Sequence, residues 1–209
     1  MARGRFITIE GGEGCGKSTL LRGIAEKLKT AGIPAIMTRE PGGTRLAEAA
    51  RQLVLSPPDQ QAWSPLGEAL LMNAARSDHV DRLIEPTLQA GEWVLCDRFI
   101  DSTRVYQGLS GVSGALLQTL HDEITRHTQP DLTIVLDAPA EALISRRSSR
   151  GTSDVFESRP IEFHKQVRQA FLSIAEREPE RCIVIDAQQP PSSLVSQALD
   201  VIHRKLVPA

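Results

Sequence analysis

The stretch from Gly11 to Ser18 reads GGEGCGKS, and it constrains this chain more than any other part of the sequence. It matches the pattern G-x-x-x-x-G-K-[ST] and follows the apolar run Phe6–Glu10, which has the composition of a buried strand. The residues from Lys17 onward have the apolar spacing of an amphipathic helix. A strand, a glycine-rich turn and a helix in this order predict a loop that binds nucleotide phosphates, whereas a chance glycine-rich turn would lack these neighbours.

Each residue type in this loop has a physical role. Glycines let the backbone curl so that consecutive N–H groups face phosphate oxygens, and the following helix N-terminus adds partial positive charge. Lys17 is expected to reach the β- and γ-phosphates of ATP, and the Ser18 hydroxyl to ligate Mg²⁺. The expected nucleotide-binding residues are Gly11, Gly12, Glu13, Gly14, Cys15, Gly16, Lys17, Ser18 and Thr19.

Composition limits the classes of protein to which the chain can belong. With 209 residues, 41% of them hydrophobic, we expect residues 1–209 to form a single domain with one full core. The net charge of −2 provides no basic field for nucleic acid or a membrane surface, so phosphate affinity must come from a local cationic cleft. No apolar run approaches the roughly 20 residues of a membrane span, and no signal-peptide pattern precedes the first strand. We therefore expect a cytoplasmic protein.

The cysteines and histidines show no metal-binding spacing. Cys15, Cys96 and Cys182 lie in or beside predicted strands or the phosphate loop, and reduced thiols are the simplest interpretation. The histidines are scattered on predicted helices, and we interpret them as surface or structural residues. They are His79, His121, His127, His164 and His203.

Short apolar runs alternate with longer helical patterns along the whole chain. The predicted strands are Phe6–Glu10, Ala35–Thr38, Trp93–Cys96, Leu132–Leu136 and Cys182–Ile185. The predicted helices are 17–31, 45–55, 64–85, 114–127, 140–150, 160–178 and 193–206. This order predicts an α/β fold with a five-stranded, doubly wound parallel sheet, helices on both faces and ligands at the carboxyl ends of the strands.

Glycine, proline and serine mark the predicted helix ends. Gly32 and Pro34 are expected to end the first helix, and Pro86 to end or kink the third helix at Glu85. Ser192 or Ser193 is expected to cap the last helix.

Charged residues collect directly after the predicted strands, and the pair Asp97–Arg98 follows the third strand. A carboxylate at Asp97 can hold Mg²⁺ opposite Ser18, although capping of the next helix is the structural alternative. Arg98 can bind a second phosphate group through both terminal nitrogens of its guanidinium group. A second phosphate group implies that the substrate is itself negatively charged.

A second basic cluster ends the predicted helix 140–150. It consists of Arg146, Arg147 and Arg150. Arginines are favourable at a helix C-terminus, so a solvated helix end is one interpretation. The other is a lid, about residues 146–158, that closes over ATP and supplies positive charge to the transition state. We favour the lid because Glu13 and Cys15, at the variable positions of the phosphate loop, carry no cation.

Three motifs in order make this chain resemble the thymidylate kinase family of P-loop nucleoside-monophosphate kinases. They are EGGEGCGKST over 10–19, REPGGT over 39–44, and DRF over 97–99 followed by Ser102 and YQG over 106–108. The first motif indicates only nucleotide binding, whereas the third is far more specific. The resemblance covers nearly the whole chain, and the arginine-containing lid is similar to that of the bacterial form.

This resemblance implies phosphoryl transfer from ATP, bound with Mg²⁺, to dTMP, giving dTDP and ADP. The implied catalytic residues are Lys17, Arg98, Asp97, Glu10 and the lid arginines Arg146, Arg147 and Arg150, and the implied metal ligands are Ser18 and Asp97. An oxygen of the acceptor phosphate is already a nucleophile, so catalysis requires only alignment and charge neutralisation.

The resemblance also assigns side chains to dTMP. Arg98 and Arg51 are expected to hold its phosphate, with Arg39 and Pro41 nearby, and Glu10 to lie by the sugar 3′-hydroxyl and the Mg²⁺ waters. Arg76 and Gln107 are expected to hydrogen-bond the thymine edge with Thr103 close by, and Tyr106 to fill the space of a ribose 2′-hydroxyl.

Met72 departs from the family pattern, because a phenylalanine usually stacks on thymine at this position. A thioether still contacts a ring favourably, over less area. Simple core packing is the structural alternative for Met72.

Members of the family are typically homodimers. Leu66, Leu70 and Leu71 on the predicted helix 64–85 would suit such an interface, and they would equally suit packing on the sheet.

Other functions stay open on the sequence alone. A kinase for another nucleoside monophosphate or a deoxynucleoside would share these motifs. A P-loop switch or ATP-sensing module would carry a base-reading N-K-x-D motif, which this sequence lacks. A structural protein with a vestigial loop is disfavoured because Lys17, Ser18, Asp97 and Arg98 are all present.

Overall fold

Five parallel strands form the centre of the fold, in the spatial order β2–β3–β1–β4–β5. They are β1 Phe6–Gly11, β2 Ala35–Arg39, β3 Trp93–Asp97, β4 Leu132–Asp137 and β5 Cys182–Asp186. A computed structural model of the chain describes residues 2–126, 128–143 and 159–207. Strand β1 is central, with Ile9 opposite Asp97 of β3 and Glu10 opposite Val135 of β4. The predicted five-stranded parallel α/β sheet is confirmed.

The described helices alternate with the strands. They are α1 Lys17–Thr30, α2 Arg45–Leu55, α3 Pro65–His79, α4 Glu85–Gln89, α5 Ile100–Leu109, α6 Gly114–Thr125, α7 Ile161–Arg177 and α8 Pro191–Leu206. A π-helical segment, Val80–Ile84, joins α3 to α4, and a short 3₁₀ turn covers Pro58–Gln60. Residues 140–143 are helical, and the rest of the predicted helix 140–150 lies outside the described residues.

Apolar side chains pack on both faces of the sheet. On one face, Ile24 and Leu28 of α1 and Ile202 of α8 belong to the same buried cluster as Ile7 and Ile9 of β1. On the other face, α5 and α7 bury a second cluster against β4 and β5, which contains Val105, Val135, Val167, Phe171 and Cys182. Two covered faces explain why the strands read as continuous apolar runs.

Helix α5 is the element that the sequence did not reveal. Its sequence, IDSTRVYQGL, carries β-branched and polar residues that weaken helix propensity. Within the described chain, Phe99 at the N-cap position makes no side-chain cap. Tertiary burial of one face decides that this segment is helical.

The predicted cap of the last helix is wrong, and Pro86 does not end the third helix, whereas a kink at Glu85 stays a prediction. Helix α8 begins at Pro191, after Pro190 in the N-cap position, so Ser192 and Ser193 lie inside the helix. Proline is well suited to the first helical position because its φ is already helical and its missing N–H has no partner there.

The helix also continues through Pro86. The Glu85 N–H bonds the Val80 carbonyl in the wider π geometry, and hydrogen bonding returns to the α type from Glu85. The predicted end of the first helix is confirmed, because α1 stops just before Gly32, which adopts a left-handed conformation with φ 75°.

The described part of the chain contains no helix that is both long and apolar enough to span a membrane. Each of the three cysteines, all within the described ranges, is buried with a free thiol. His79, His121 and His164 are buried and His203 is exposed, while His127 lies outside the described residues.

Candidate active site

A cavity of about 890 Å³ opens at the carboxyl edge of the sheet. Its walls come from the phosphate loop after β1 and from the segments that follow β2, β3 and β5. In a parallel sheet the strand ends leave such a crevice where connections diverge to opposite faces. The predicted position of the ligand site is therefore the position of the cavity.

The phosphate loop is built around Lys17, which is only 7% exposed. Its Nζ donates hydrogen bonds to the carbonyl oxygens of Gly11, at 3.2 Å, and Gly12, at 2.9 Å, so the ammonium group lies within the curl of the loop. Gly11 has φ 131°, and a Cβ there would lie 2.4 Å from the Leu136 carbonyl oxygen. Only glycine allows β1 and β4 to stay paired at this point.

Ser18 and Asp97 meet across the floor of the cavity. The Ser18 hydroxyl donates to Asp97 Oδ2 at 2.6 Å, although the two residues are 79 positions apart. Hydroxyl and carboxylate oxygens are ligands that Mg²⁺ prefers, and the ion usually takes its remaining ligands from phosphates and water. The Ser18–Asp97 pair therefore offers two oxygen ligands of the kind that would hold a magnesium ion shared with a nucleotide.

The alternative role for Asp97, capping the next helix, is wrong. That role belongs to Glu10, which is fully buried. Glu10 Oε1 accepts from the backbone N–H groups of Phe99, at 2.8 Å, and Ser102, at 3.3 Å, and Oε2 accepts from the Ser102 hydroxyl at 2.6 Å. Strand β1 thus supplies the acceptor that the first turn of α5 lacks.

The pKa of Glu10 is raised from 4.5 to about 7. Burial is the main cause and the charge of Asp101 adds to it, while Arg98 and the hydrogen bonds from Ser102 and Phe99 oppose it. The described residues that line the cavity do not include Glu10, so the carboxyl group lies beneath its wall.

Arg98 connects the phosphate loop to α5. Its guanidinium group donates to the Gly11 carbonyl at 3.1 Å, the Ser102 hydroxyl at 2.9 Å and Glu13 Oε1 at 2.6 Å. The guanidinium carbon also lies 5.3 Å from the centre of the Tyr106 ring. Its backbone has φ 71°, a left-handed conformation that costs a non-glycine residue on the order of 1 kcal/mol or more. These contacts hold a strained residue with its charge at the cavity wall.

Most residues predicted to bind dTMP line this cavity. They are Arg39, Pro41, Arg51, Met72, Arg98, Tyr106 and Gln107. Arg51 Nη1 donates to the Pro41 carbonyl at 2.8 Å, and the Tyr106 hydroxyl donates to Glu13 Oε1 at 3.3 Å. Arg39 pairs with Glu48 at 3.1 Å on the exposed rim.

Arg76 and Thr103 are absent from the described cavity lining. Arg76 is 1% exposed, and it donates to Glu40 Oε2 at 2.7 Å and to Thr103 Oγ1 at 2.9 Å. His79 Nδ1 lies 3.1 Å from the second oxygen of Glu40. Arg76 therefore holds the segment after β2 against α3 and α5, and its contact with thymine stays a prediction.

The sequence motifs did not identify the cavity residues that lie beyond the phosphate loop. Ala187, Gln189, Pro191 and Leu194 follow β5 and line the cavity, together with Arg22 of α1. Their one signal in the sequence is their position directly after the last strand. The lid arginines Arg146, Arg147 and Arg150 lie outside the described residues, so the lid stays a prediction.

Comparison with known proteins agrees with this geometry. The family model described as thymidylate kinase matches residues 9–198. A thymidylate kinase from Caulobacter vibrioides is 47% identical over 207 residues, covering 99% of both chains, and one from Rhodopseudomonas palustris is 47% identical, covering 98% of this chain and 91% of its own. The crystal structure of thymidylate kinase from Ehrlichia chaffeensis has a TM-score of 0.77 and 32% identity, covering 96% of this chain and 99% of that chain. This chain, with its cavity between a phosphate loop and an arginine-lined wall, therefore belongs to the thymidylate kinase family.

Proposed function

We propose that this protein transfers the γ-phosphoryl group of ATP, bound with Mg²⁺, to dTMP, giving dTDP and ADP. The observation that supports the proposal is one cavity whose lining carries both the phosphate-loop lysine and three arginines. Lys17 lies in the phosphate loop, and Arg98, Arg51 and Arg39 line the same cavity, as do Met72, Tyr106 and Gln107. Two negatively charged nucleotides can meet there with their phosphates facing each other.

The donor end binds the triphosphate through the loop N–H groups, the N-terminus of α1 and Lys17. Ser18 and Asp97 would hold Mg²⁺, which neutralises charge on the β- and γ-phosphates when bound. The segment after β5, with Ala187 and Gln189, also lines the cavity and would contact the rest of the donor nucleotide.

At the acceptor end, Arg98 and Arg51 neutralise the phosphate of dTMP. An oxygen of that phosphate attacks the γ-phosphorus, and the bond from the γ-phosphorus to its bridging oxygen breaks, leaving ADP. The chain contributes alignment and charge, and no covalent intermediate with the protein forms. A lid arginine among Arg146, Arg147 and Arg150 completes the charge neutralisation in this proposal.

The sugar and base are selected by the wall around Tyr106. The Tyr106 ring lies 6.1 Å from that of Phe163 and 6.3 Å from that of Phe171, and its hydroxyl is bound to Glu13, so it is held in place. A ribose 2′-hydroxyl at this wall would be buried without a partner, which disfavours ribonucleotides.

The proposal includes a cytoplasmic location, where buried free thiols such as those of Cys15, Cys96 and Cys182 persist in reduced form. It also includes a homodimer. Leu66 and Leu70 share one face of α3 and are 46% and 48% exposed, while the neighbouring Leu71 packs into the core. The exposed pair thus supports an interface more than it supports packing on the sheet.

A coupled assay across dTMP, dUMP, dCMP, AMP and thymidine tests the activity. We expect dTMP to give the highest kcat/KM, and Lys17→Ala to lower turnover by about 10³-fold or more with the fold intact by circular dichroism. A purified wild-type protein that neither binds dTMP nor converts it to dTDP would refute the proposal, and near-normal rates in Lys17→Ala would refute the role of the loop.

A further inference from the structure

Gln107 carries an orphaned acceptor in the wall of the cavity. The residue lies on α5, is fully buried and belongs to the cavity lining beside Met72 and Tyr106. Its Nε2 donates to Glu68 Oε1 at 2.9 Å. Its Oε1 is buried and has no hydrogen-bond partner among the residues that the structure describes. A buried amide oxygen in this position points to a ligand that brings a donor.

The hydrogen-bond partner of Gln107 determines which atom of its side-chain amide remains without a partner. An ionised glutamate can only accept hydrogen bonds, so the NH₂ group of Gln107 must face Glu68 and the oxygen must face elsewhere. Glu68 lies in the first turn of α3, where the helix dipole favours its negative charge. The orientation of the Gln107 amide is therefore set by a residue on another helix, 39 positions away.

The orientation matters because pyrimidine bases differ at N3. Thymine and uracil carry a hydrogen on N3 and can donate to an amide oxygen, whereas N3 of cytosine is an acceptor. An amide oxygen that faced cytosine N3 would leave two acceptors opposed and unsatisfied. The reversed amide would favour cytosine instead.

We infer that Glu68 is a positioning residue for base specificity: by accepting from Nε2 of Gln107, it presents Oε1 to the N3–H of the acceptor base. The inference rests on the proposed function, in which Gln107 contacts the base of dTMP. Glu68 acts through Gln107, so it changes which base binds and leaves the ATP end of the cavity unaffected.

Glu68→Gln tests this directly, because an amide at position 68 can either donate or accept and no longer forces one orientation of Gln107. We expect the ratio of kcat/KM for dTMP over dCMP to fall by about tenfold or more, mainly through KM. The ratio for dTMP over dUMP should stay the same, since both bases have N3–H. A general structural defect would lower activity on all three acceptors together.

Asp122→Asn is the matched control. Asp122 accepts from Gln118 Nε2 at 2.8 Å, so it is also a carboxylate that holds a glutamine amide, but on the exposed face of α6. This variant should keep every acceptor ratio unchanged. Calorimetric titration without ATP measures the dissociation constants of dTMP and dCMP. In Glu68→Gln the ratio between these two constants should shrink as the kinetic ratio does.

A folded Glu68→Gln protein that keeps the wild-type preference for dTMP over dCMP, in both kinetics and titration, would overturn the inference. Failure of the wild-type protein to phosphorylate dTMP would instead refute the proposed function, so the two failures are distinguishable. The 3-methyl derivative of dTMP, which lacks N3–H, provides a further readout. The wild-type protein should bind it at least about tenfold more weakly than dTMP, and equal binding would also overturn the inference.

Discussion

Glu13 is partly buried and yet stays ionised, because neighbouring positive charges stabilise its carboxylate. Burial alone would raise its pKa, but the charges of Arg98 and Lys17 lower that pKa from 4.5 to about 2. The carboxylate therefore stays charged and holds Arg98 at 2.6 Å. This ion pair fixes the Arg98 guanidinium group in place, so in the proposed function Arg98 is aligned before the substrate phosphate arrives.

Substitution of Met72 tests whether this methionine, which replaces the phenylalanine usual in the family, still contributes to binding of the base. Met72 is 8% exposed, lines the cavity and also packs in the core near Val105. We expect Met72→Ala to raise the KM for dTMP by about tenfold and to change kcat much less, because in the proposed function Met72 contacts the base and not the reacting phosphates.

Met37→Ala is the control, since Met37 is 50% exposed on β2 and should leave KM unchanged. Steady-state kinetics with dTMP measures both variants. A Met72→Ala protein that loses only stability, with KM unchanged, would leave core packing as the sole role of Met72.

Helix α5 is the element that joins sheet, phosphate loop and acceptor wall. Its N-terminus is held by Glu10, and a charge cluster at the start of β5 holds Asp101 in its first turn and Arg104 in its middle. Arg181 donates to Asp101 at 2.7 Å and to Glu178 at 2.6 Å, and Arg104 contacts the same two carboxylates at 3.0 and 2.6 Å. Asp101, at 1% exposure, is the buried centre of this cluster.

Asp101→Asn should lower the free energy of unfolding by about 3 kcal/mol, because it removes the buried charge that compensates two arginines. Urea denaturation measures the change. Glu162→Gln is the control, since Glu162 forms an exposed pair with Lys165 and its loss should change the free energy of unfolding far less. Equal effects of the two substitutions would contradict a structural role for the buried cluster.

Glu178 gives the cluster a defined pH dependence. Burial tends to raise its pKa, but hydrogen bonds and charge from Arg104 and Arg181 outweigh burial and lower the pKa from 4.5 to about 2. A carboxyl group with a depressed folded-state pKa stabilises the protein above its unfolded pKa, and the contribution is lost as pH falls through the folded pKa.

The stability difference between wild type and Glu178→Gln should therefore be constant above about pH 5 and shrink between pH 4.5 and about 2. Chemical denaturation at a series of pH values measures this difference. A difference that is independent of pH down to pH 2 would show that Glu178 contributes through packing and not through its charge.

At the scale of the whole molecule, the exposed leucines of α3 define the expected interface. We expect sedimentation to give a mass about twice the 22.8 kDa of one chain, and the double substitution Leu66→Glu/Leu70→Glu to give a monomer, because buried like charges would face each other. Val184→Glu, on β5 and 43% exposed, is the control and should stay dimeric. A monomeric wild-type protein at micromolar concentration would contradict the expectation.

The sequence predicts the order of elements and the edge of the sheet that binds ligand. Both follow from local patterns: apolar strands, helical spacing and the glycines of one loop. The helical state of α5 could not be predicted in this way, because its propensity is weak and its cap comes from Glu10 on β1. The burial of Arg76 was equally hidden, since its partner Glu40 lies 36 positions earlier.

The sequence by itself determined the nucleotide-binding loop, the parallel α/β sheet and the class of reaction, because each depends on residues close together along the chain. Only the tertiary structure decided which polar side chains face the cavity and which are bound beneath it. Arg98 with Glu13, Glu10 with Ser102, and Gln107 with Glu68 are pairs separated by 85, 92 and 39 positions. Periodicity shows whether a side chain is buried, but the partner of a buried polar group depends on how distant elements pack.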